Sequence, residues 1–461
     1  MDNQQNKSAI VIGASMAGLV TARVLSEHFE KVFLVERDPI LNQPESRKGQ
    51  PQTQHLHALL ASGLITLQKY FPDLTDSIKT GGGIVCDAWQ SMVWNCYGNY
   101  RLPFEVGKQF VFASRPFLEW QVRQRVLGSE NLEVLSGYSV DQLLTDEHQQ
   151  QVTGVQMTNK NSKETAISLQ GDLVIDASGR GSRSGKWLKE LGYSKPVESK
   201  VSCGTGYTTR IYERNPEEPN ASKWFFITPE APKEQRGGGA FPVEGNRWIV
   251  SLSGWHGEHA PKDEAGFEAF AKSLPSPDIY NIISRNKPLS NFSVYKYPYS
   301  LRRHYEKLTR FPQGYLVLGD AVCSFNPLYG QGMTSAILQA HMLDNLLQKR
   351  KGKLANIAKP YFRRISKMID IPWQSSVLED FRFPQTTGKK QLGTDFINAY
   401  MSHVHRTTHT DAVVSKAFFE VINMIEPPTS LFKPTIVVRV LRNMLNQRSL
   451  GTLPQPQMVE A

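Results

Sequence analysis

Glycines, arginines and carboxylates, rather than nucleophile–base pairs, are the residues of this chain whose types and spacing could do chemistry. The first set is Gly13-Ala-Ser15-Met-Ala17-Gly18, with Glu36 and Arg37 downstream. Gly13 permits a tight turn, Gly18 allows a helix to pack closely on a strand, and the amides opening that helix are offered to a pyrophosphate. Ser15 stands where the usual dinucleotide fingerprint has its middle glycine, which narrows the backbone's approach to the phosphates, although serine and Ala17 are both small. Glu36 closes the next apolar run, where a carboxylate can accept hydrogen bonds from ribose hydroxyls. The cofactor-contacting positions expected here are Gly13, Ser15, Ala17, Gly18, Glu36 and Arg37.

Arg115, in Ser114-Arg-Pro-Phe-Leu-Glu-Trp, opens a predicted helix and so works against its macrodipole. It needs a partner, either a nearby Asp or Glu or an anionic cofactor. Asp176-Ala-Ser-Gly-Arg-Gly-Ser-Arg183 follows a short apolar run, and its small residues suit a backbone passing close to a ligand. Further on, Tyr315–Leu318 reads as a buried strand ending at Gly319-Asp320, a position where α/β sheets bind ligands. The loop after it carries Asn326-Pro327, Gly330 and Gly332, then a helix from about Met333. The two glycines expose backbone amides to an electron-rich ring edge or oxyanion.

The elements that must position these groups follow from periodicity. Ala9–Ile12 and Val32–Val35 read as strands flanking a helix over Leu19–Ser26, a parallel βαβ unit. His55 opens a predicted helix running to about Tyr70. Two histidines at i and i+2, His55 and His57, do not share a helix face and make no metal pair. Either they cap the helix start, which composition favours, or the loop Lys48–His57 lies over a cofactor. Leu132–Leu135, Val152–Thr158, Thr165–Leu169 and Asp172–Ile175 read as a small antiparallel element returning to the main sheet. From Ser202 to Trp255 the pattern alternates and is rich in aromatics, with Glu244-Gly245-Asn246 as a hairpin turn. Such a sheet suits an apolar ligand on one face, with Tyr207, Trp224, Phe226, Phe241 and Trp248 as candidate contacts or as plain core. Asp263–Leu274 reads as an amphipathic helix, and residues from about His341 onward as mainly helical and basic.

Composition narrows the partners. The chain has 461 residues and a formal charge of +10. Its basic residues are scattered among acids, which excludes a nucleic-acid partner and fits anionic cofactors or a membrane surface. The four cysteines, Cys86, Cys96, Cys203 and Cys323, lie far apart, so neither a disulfide framework nor a metal site is expected. The polar first residues leave no room for a signal peptide, and no run of about 18 apolar residues occurs, so the expected address is the cytoplasm. Thr435–Gln447 places Ile436, Val440 and Met444 on one face with Arg439 and Arg442 elsewhere. Such a helix covers a core or makes peripheral contact with anionic membrane.

With these sets placed, the chain resembles single-component FAD-dependent monooxygenases of the p-hydroxybenzoate hydroxylase fold. The resemblance rests on Gly13–Gly18 with Glu36, on Arg115, on Asp176–Arg183 and on Gly319-Asp320 with Asn326-Pro-Leu-Tyr-Gly-Gln-Gly-Met333. Within that family it is most similar to bacterial polyether and polyene epoxidases, through Arg47-Lys-Gly-Gln-Pro-Gln-Thr-Gln-His55, Arg247-Trp-Ile-Val-Ser-Leu-Ser-Gly254 and Arg303-His-Tyr-Glu-Lys-Leu308. The Trp-x-Trp-x-Ile-Pro signature of the related flavin halogenases is missing: Gly254-Trp-His-Gly-Glu-His does not match it.

The resemblance implies an α/β fold in which a Rossmann-type FAD-binding domain is interleaved with a mostly antiparallel substrate domain, plus C-terminal helices. The FAD-binding part would comprise residues 1–80, 108–200 and 300–345, the substrate part 81–107 and 201–299, and the helical region 346–461. Asp320 would hold ribityl or phosphate groups, and Gly330, Gly332 and Met333 would cradle the isoalloxazine. NAD(P)H would bind transiently as reductant, and O2 would be activated as a flavin C4a-hydroperoxide. One oxygen atom would pass to an apolar polyene, terpenoid or aromatic substrate, with no dedicated catalytic residue implied. The alternatives are a flavin-dependent reductase of isoprenoid double bonds and a non-catalytic protein of the same fold.

Overall fold

The computed structural model describes residues 7–47, 49–160 and 166–449. The polar first residues before Lys7, Lys48 of the loop before His57, and Thr165 of a predicted strand lie outside the described residues.

The central element is a five-stranded, all-parallel sheet in the order Tyr315–Val317, Leu173–Asp176, Ser8–Ile12, Lys31–Glu36, Leu132–Ser136. Such strands are covered on both faces, which is why Ala9, Ile10 and Val11 run consecutively apolar and are fully buried. One face packs the helices Met16–Leu25 and Gly332–Lys349. The strand ends that carry Gly13, Glu36, Asp176 and Gly319 therefore all open on one edge of the sheet. The fold is mixed α/β, of the Rossmann-type FAD-binding class.

A three-stranded antiparallel sheet, Tyr138–Thr145, Val152–Asn159 and Ile167–Gln170, is inserted before Leu173–Asp176. Two details differ from the sequence reading. Leu132–Ser136 belongs to the parallel sheet, and Tyr138–Thr145, which periodicity did not reveal, supplies the missing hairpin partner. Its polar residues face out, so it lacks the apolar run that marks its neighbours.

The second large sheet has seven strands in the order Ser293–Lys296, Gly206–Glu213, Arg247–Gly254, Arg236–Val243, Trp224–Thr228, Met92–Cys96, Asn99–Tyr100. It is antiparallel except for the parallel pairing of Trp224–Thr228 with Met92–Cys96. The hairpin joining Arg236–Val243 to Arg247–Gly254 turns through Gly245 and Asn246, both with positive φ. One face packs on the helices Glu264–Lys272 and Asp278–Arg285. The other faces the C-terminal helices Ala412–Ile422 and Pro434–Ser449.

The predicted helix from His55 to Tyr70 is shorter than expected. A 3-10 turn at Pro51–Gln54 is followed by extended chain, and the helix spans Ala61–Tyr70 with Leu60 as its cap residue. The cap reading of His55 and His57 is therefore wrong. Tertiary contacts overrule local preference here: His55 Nδ1 is bonded to the Thr209 hydroxyl at 2.8 Å, and the Leu56 amide donates to Ser251 Oγ at 3.3 Å. Among the described residues no helix is long and apolar enough to cross a membrane.

Close packing at the first turn sets a strict steric limit. A Cβ on Gly18 would lie 1.7 Å from the Gly13 carbonyl oxygen. Gly18→Ala is expected to lower stability by about 1–3 kcal/mol or more, measured as a shift in the urea midpoint. An unchanged midpoint would mean that the turn tolerates a different path.

Candidate functional site

The first strand ends in a turn whose shape only glycine allows. Gly13 has φ of +99°, and a Cβ there would stand 2.8 Å from the Ala177 carbonyl oxygen. Helix Met16–Leu25 begins directly after it with no side-chain cap and no acidic residue in its first turn. Its leading amides thus keep their hydrogen-bonding capacity for an anion. Ser15 occupies the cap position but is drawn elsewhere: its hydroxyl donates to Glu119 Oε2 at 2.9 Å and accepts from Arg115 Nη2 at 3.1 Å. The serine that interrupts the glycine fingerprint is therefore a tether to a second helix.

That tether belongs to a buried ionic cluster. Glu119 accepts from Arg47 at 2.8 Å and from Arg115 at 3.0 Å, with Arg123 at 4.0 Å, and all four residues are buried. Burial alone would raise the Glu119 carboxyl, but the guanidinium groups of Arg115 and Arg47 outweigh it and hold the carboxyl below the usual range. Arg47 also lies 3.2 Å from Glu36, whose carboxylate accepts from the amides of Ala14 at 2.7 Å and Asp38 at 2.9 Å. Of the two partners weighed for Arg115, the carboxylate is thus present. The arginine still reaches the cavity wall, where its Nε has no acceptor.

Across the sheet edge, Asp320 follows the Tyr315–Val317 strand within a 3-10 turn that Gly319 enters with φ of +68°. Its carboxylate has no hydrogen bond or ion pair among the described residues, and the residue is exposed where it lines the cavity. Enclosure by the protein pushes this carboxyl above its ordinary value, while Arg115 and Arg180 pull it back. Gly330 adopts φ of +66°, and helix Gly332–Lys349 starts beside Asp320. An acceptor without a donor and an uncapped helix start facing the same space are the features a ribityl–pyrophosphate chain would satisfy. By contrast, Asp176 is consumed internally: it accepts from the Ser178 amide and from the hydroxyls of Ser178, Ser182 and Ser184, so it shapes its own loop. That loop presents Arg180 to the cavity, stacked on Tyr297 and Tyr299.

The loop between Asp320 and its helix is clamped from the C-terminal region. Asp380, at the end of helix Ala358–Asp380, accepts from Asn326 Nδ2 and from the Tyr329 hydroxyl, both at 2.8 Å. Ser376 Oγ donates to Gln331 Oε1 at 2.7 Å. Asp380 is fully buried with Oδ2 unpartnered, and burial pushes its carboxyl up to about 6 against the opposing bonds from Asn326 and Tyr329.

The turn, Arg115, the Asp320 strand end and the loop after it line one cavity of about 850 Å³, with the rest of the ionic cluster and Asp380 packed behind its wall. Every predicted cofactor position reaches it except Gly18, which packs beneath the turn: Gly13, Ser15, Ala17, Glu36, Arg37, Arg115, Asp320, Gly330, Gly332 and Met333 are on its wall. Arg37 sits at the rim, half exposed beside Asp38. The cavity continues onto the second sheet, where Tyr207, Trp224, Phe226 and Phe241 line it. Trp248 does not. It pairs with Pro242 on the opposite face and packs among Phe225, Phe267 and Phe270, because side chains alternate along a strand.

Of the two readings of the segment ending at His57, the one that lays it along the ligand space fits: Gly49, Gln50, Gln52, Leu56 and His57 line the cavity. Because His57 Nδ1 lies 2.9 Å from the His55 carbonyl oxygen, that nitrogen must carry the proton. Its Nε2 is then a neutral acceptor, kept so by burial and by Arg115, which lower the ring to about 3. The far wall comes from C-terminal helices, through Leu378, Met401, Phe418 and Phe419. Within it Arg101 is sandwiched between Trp94 and Phe418 and donates to Thr408 and His405. Nothing in the local sequence around these helices marks them as cavity walls. Only their apolar stripes hinted at contact.

Solved flavoproteins share this architecture. The chain superimposes on a flavoprotein/dehydrogenase from Cytophaga hutchinsonii with a TM-score of 0.68, at 14% identity over 96% of this chain and 100% of that one. It also superimposes on the flavin-dependent brominase Bmp2 with a TM-score of 0.65, at 11% identity over 97% and 100% of the two chains. PqsL of Pseudomonas aeruginosa, described as a probable FAD-dependent monooxygenase, aligns with a TM-score of 0.59, at 16% identity over 82% and 99%. At these identities the likeness defines a fold class, that of FAD-binding flavoproteins. In sequence, the chain is 32% identical over 389 residues to Protein Rv3254 of Mycobacterium tuberculosis, covering 83% of this chain and 81% of that protein. It belongs to the same family as Protein Rv3254. No family model matches it.

Glu119→Gln would leave Arg115 and Arg123 without a carboxylate and Arg47 with Glu36 alone. A loss of about 3–5 kcal/mol is expected in urea unfolding near neutral pH. Because the native carboxyl is depressed, its contribution is complete above the ordinary carboxylate range and fades as pH falls, so the difference from wild type should shrink toward about pH 3. Asp380 carries the opposite sign. Its native carboxyl is raised, so its cost is absent in acid and grows as pH rises from about 4 to about 6. The stability of Asp380→Asn relative to wild type should therefore improve across that window, by up to about 3 kcal/mol. A pH-independent difference would contradict this.

Proposed function

We propose that this chain binds FAD and catalyses an NAD(P)H- and O2-dependent oxygenation of an apolar substrate. One observation carries the reading: the dinucleotide turn, the unpaired Asp320 carboxylate and the aromatic wall of the second sheet open on a single cavity. The amides opening helix Met16–Leu25 bind the pyrophosphate, Glu36 the adenosine ribose, and Asp320 the ribityl hydroxyls. Gly330 and Gly332 allow the backbone to approach the ring system. The flavin, when bound, supplies electron transfer and oxygen activation. The protein's part is to exclude water and orient the substrate, and Trp224, Phe226, Phe241 and Phe418 provide an apolar surface for both. A brominase and a probable monooxygenase among the proteins of this fold support flavin chemistry of an oxidative kind. The oxygen atom is delivered by epoxidation or hydroxylation, and the reductant binds transiently without a domain of its own.

Oxygen uptake tests the reaction. With NADPH or NADH, one member of a panel of polyenes, terpenes and phenols is expected to stimulate oxygen consumption and gain an oxygen atom. Anaerobic saturation of a double bond would replace the reading with a reductase, and no NAD(P)H oxidation with any substrate would leave a non-catalytic protein. Asp320→Ala should weaken FAD affinity about 10- to 100-fold by removing a charge-assisted acceptor. Unchanged affinity would remove Asp320 from the site.

A further inference from the structure

The C-terminal region that walls the cavity carries large apolar side chains on its outer surface. Leu392 and Phe396 precede and open helix Thr394–Thr407; Phe396 is 78% exposed and Leu392 fully so. One turn on, the Tyr400 ring stacks on Phe432 at 4.9 Å, and its hydroxyl donates to the Leu431 carbonyl at 2.7 Å. Phe432 is itself 41% exposed. Helix Pro434–Ser449 begins two residues later and has two apolar sides. Ile436 and Val440 are buried against the protein, whereas Val438 and Leu441 stand more than half and about half exposed, at 57% and 50%. Single exposed apolar residues are ordinary, but a set spread over adjoining elements calls for a partner.

Charge and continuity identify it. Lys390, Lys433 and Arg439 pair with Asp395, Glu426 and Asp411, while Lys389 and Arg442 have no ion pair among the described residues. Apolar side chains interspersed with surplus cations form the pattern of an interfacial helix on anionic lipid. Phe432 also lines the cavity, as do Leu431 and Pro428 beside it and Ile397 next to Phe396. The inner side of this surface is thus the cavity wall.

We propose that this surface docks on a bilayer containing anionic lipid and that an apolar substrate enters the cavity from the membrane. The second half rests on the oxygenase reading, whereas docking does not. The full FAD-treated chain is floated with vesicles of phosphatidylcholine alone and of phosphatidylcholine mixed with phosphatidylglycerol. Binding to the anionic vesicles is expected, reduced by high salt. Phe396→Ser with Leu441→Ser should cut the bound fraction about tenfold, and Arg442→Glu severalfold, with circular dichroism unchanged because the positions are exposed. Absence of binding, or equal binding by the variants, overturns the proposal. So does a dimer in gel filtration that the variants dissociate while vesicles remain unbound. Flavin absorbance read on the same fractions separates the claims: a yellow chain that ignores vesicles sinks docking alone, and a colourless one that binds them sinks the flavin reading alone.

Discussion

A single buried carboxylate holds the nucleotide end of the molecule together. Glu119 joins three arginines from two segments and the serine of the first turn, so the path of the chain at Ser15, the Arg47 loop and the start of helix Arg115–Leu127 are set jointly. Taking these charges out of water is expensive, and the single carboxylate offsets part of that cost for three guanidinium groups. Its loss would leave uncompensated positive charge in a low-dielectric interior. The cluster thereby rigidifies the rim where an anionic ligand would lie, and Arg115 retains a buried Nε without an acceptor.

The remaining architecture keeps a large cavity open between three bodies. The parallel sheet supplies a sharp turn and a helix start, the second sheet an aromatic face, and the C-terminal helices a lid of apolar side chains and a clamp through Asp380. Asp380 connects the outermost of these to the loop beside Asp320, so the C-terminal wall and that loop are mechanically coupled. A protein whose cofactor performs the hard chemistry needs this kind of rigidity more than it needs a nucleophile.

Much of this was legible in the chain because local physics dictates it. Gly13 and Gly18 announce a turn that no other residue can make, and Tyr315–Val317 is an apolar run because both its faces are covered. Side-chain direction was harder. The type of Trp248 left ligand contact and plain core both open, and strict alternation along Arg247–Gly254 decides for core, opposite Ile249 on the helix-covered face. What stayed hidden depends on partners distant in sequence. The anchor of Ser15 is Glu119, the segment around His55 is held extended by Thr209, and the roof of the cavity comes from helices around Phe418. No window of neighbouring residues contains both halves of those contacts.

The central claim is that the turn at Gly13 and the strand end at Asp320 hold one FAD between them. Its most direct measurement is the visible spectrum of the purified chain after incubation with FAD and removal of excess, followed by denaturation and identification of the released flavin. A yellow protein that releases stoichiometric FAD is expected. A chain that stays colourless and shows no heat of FAD binding by calorimetry would contradict it.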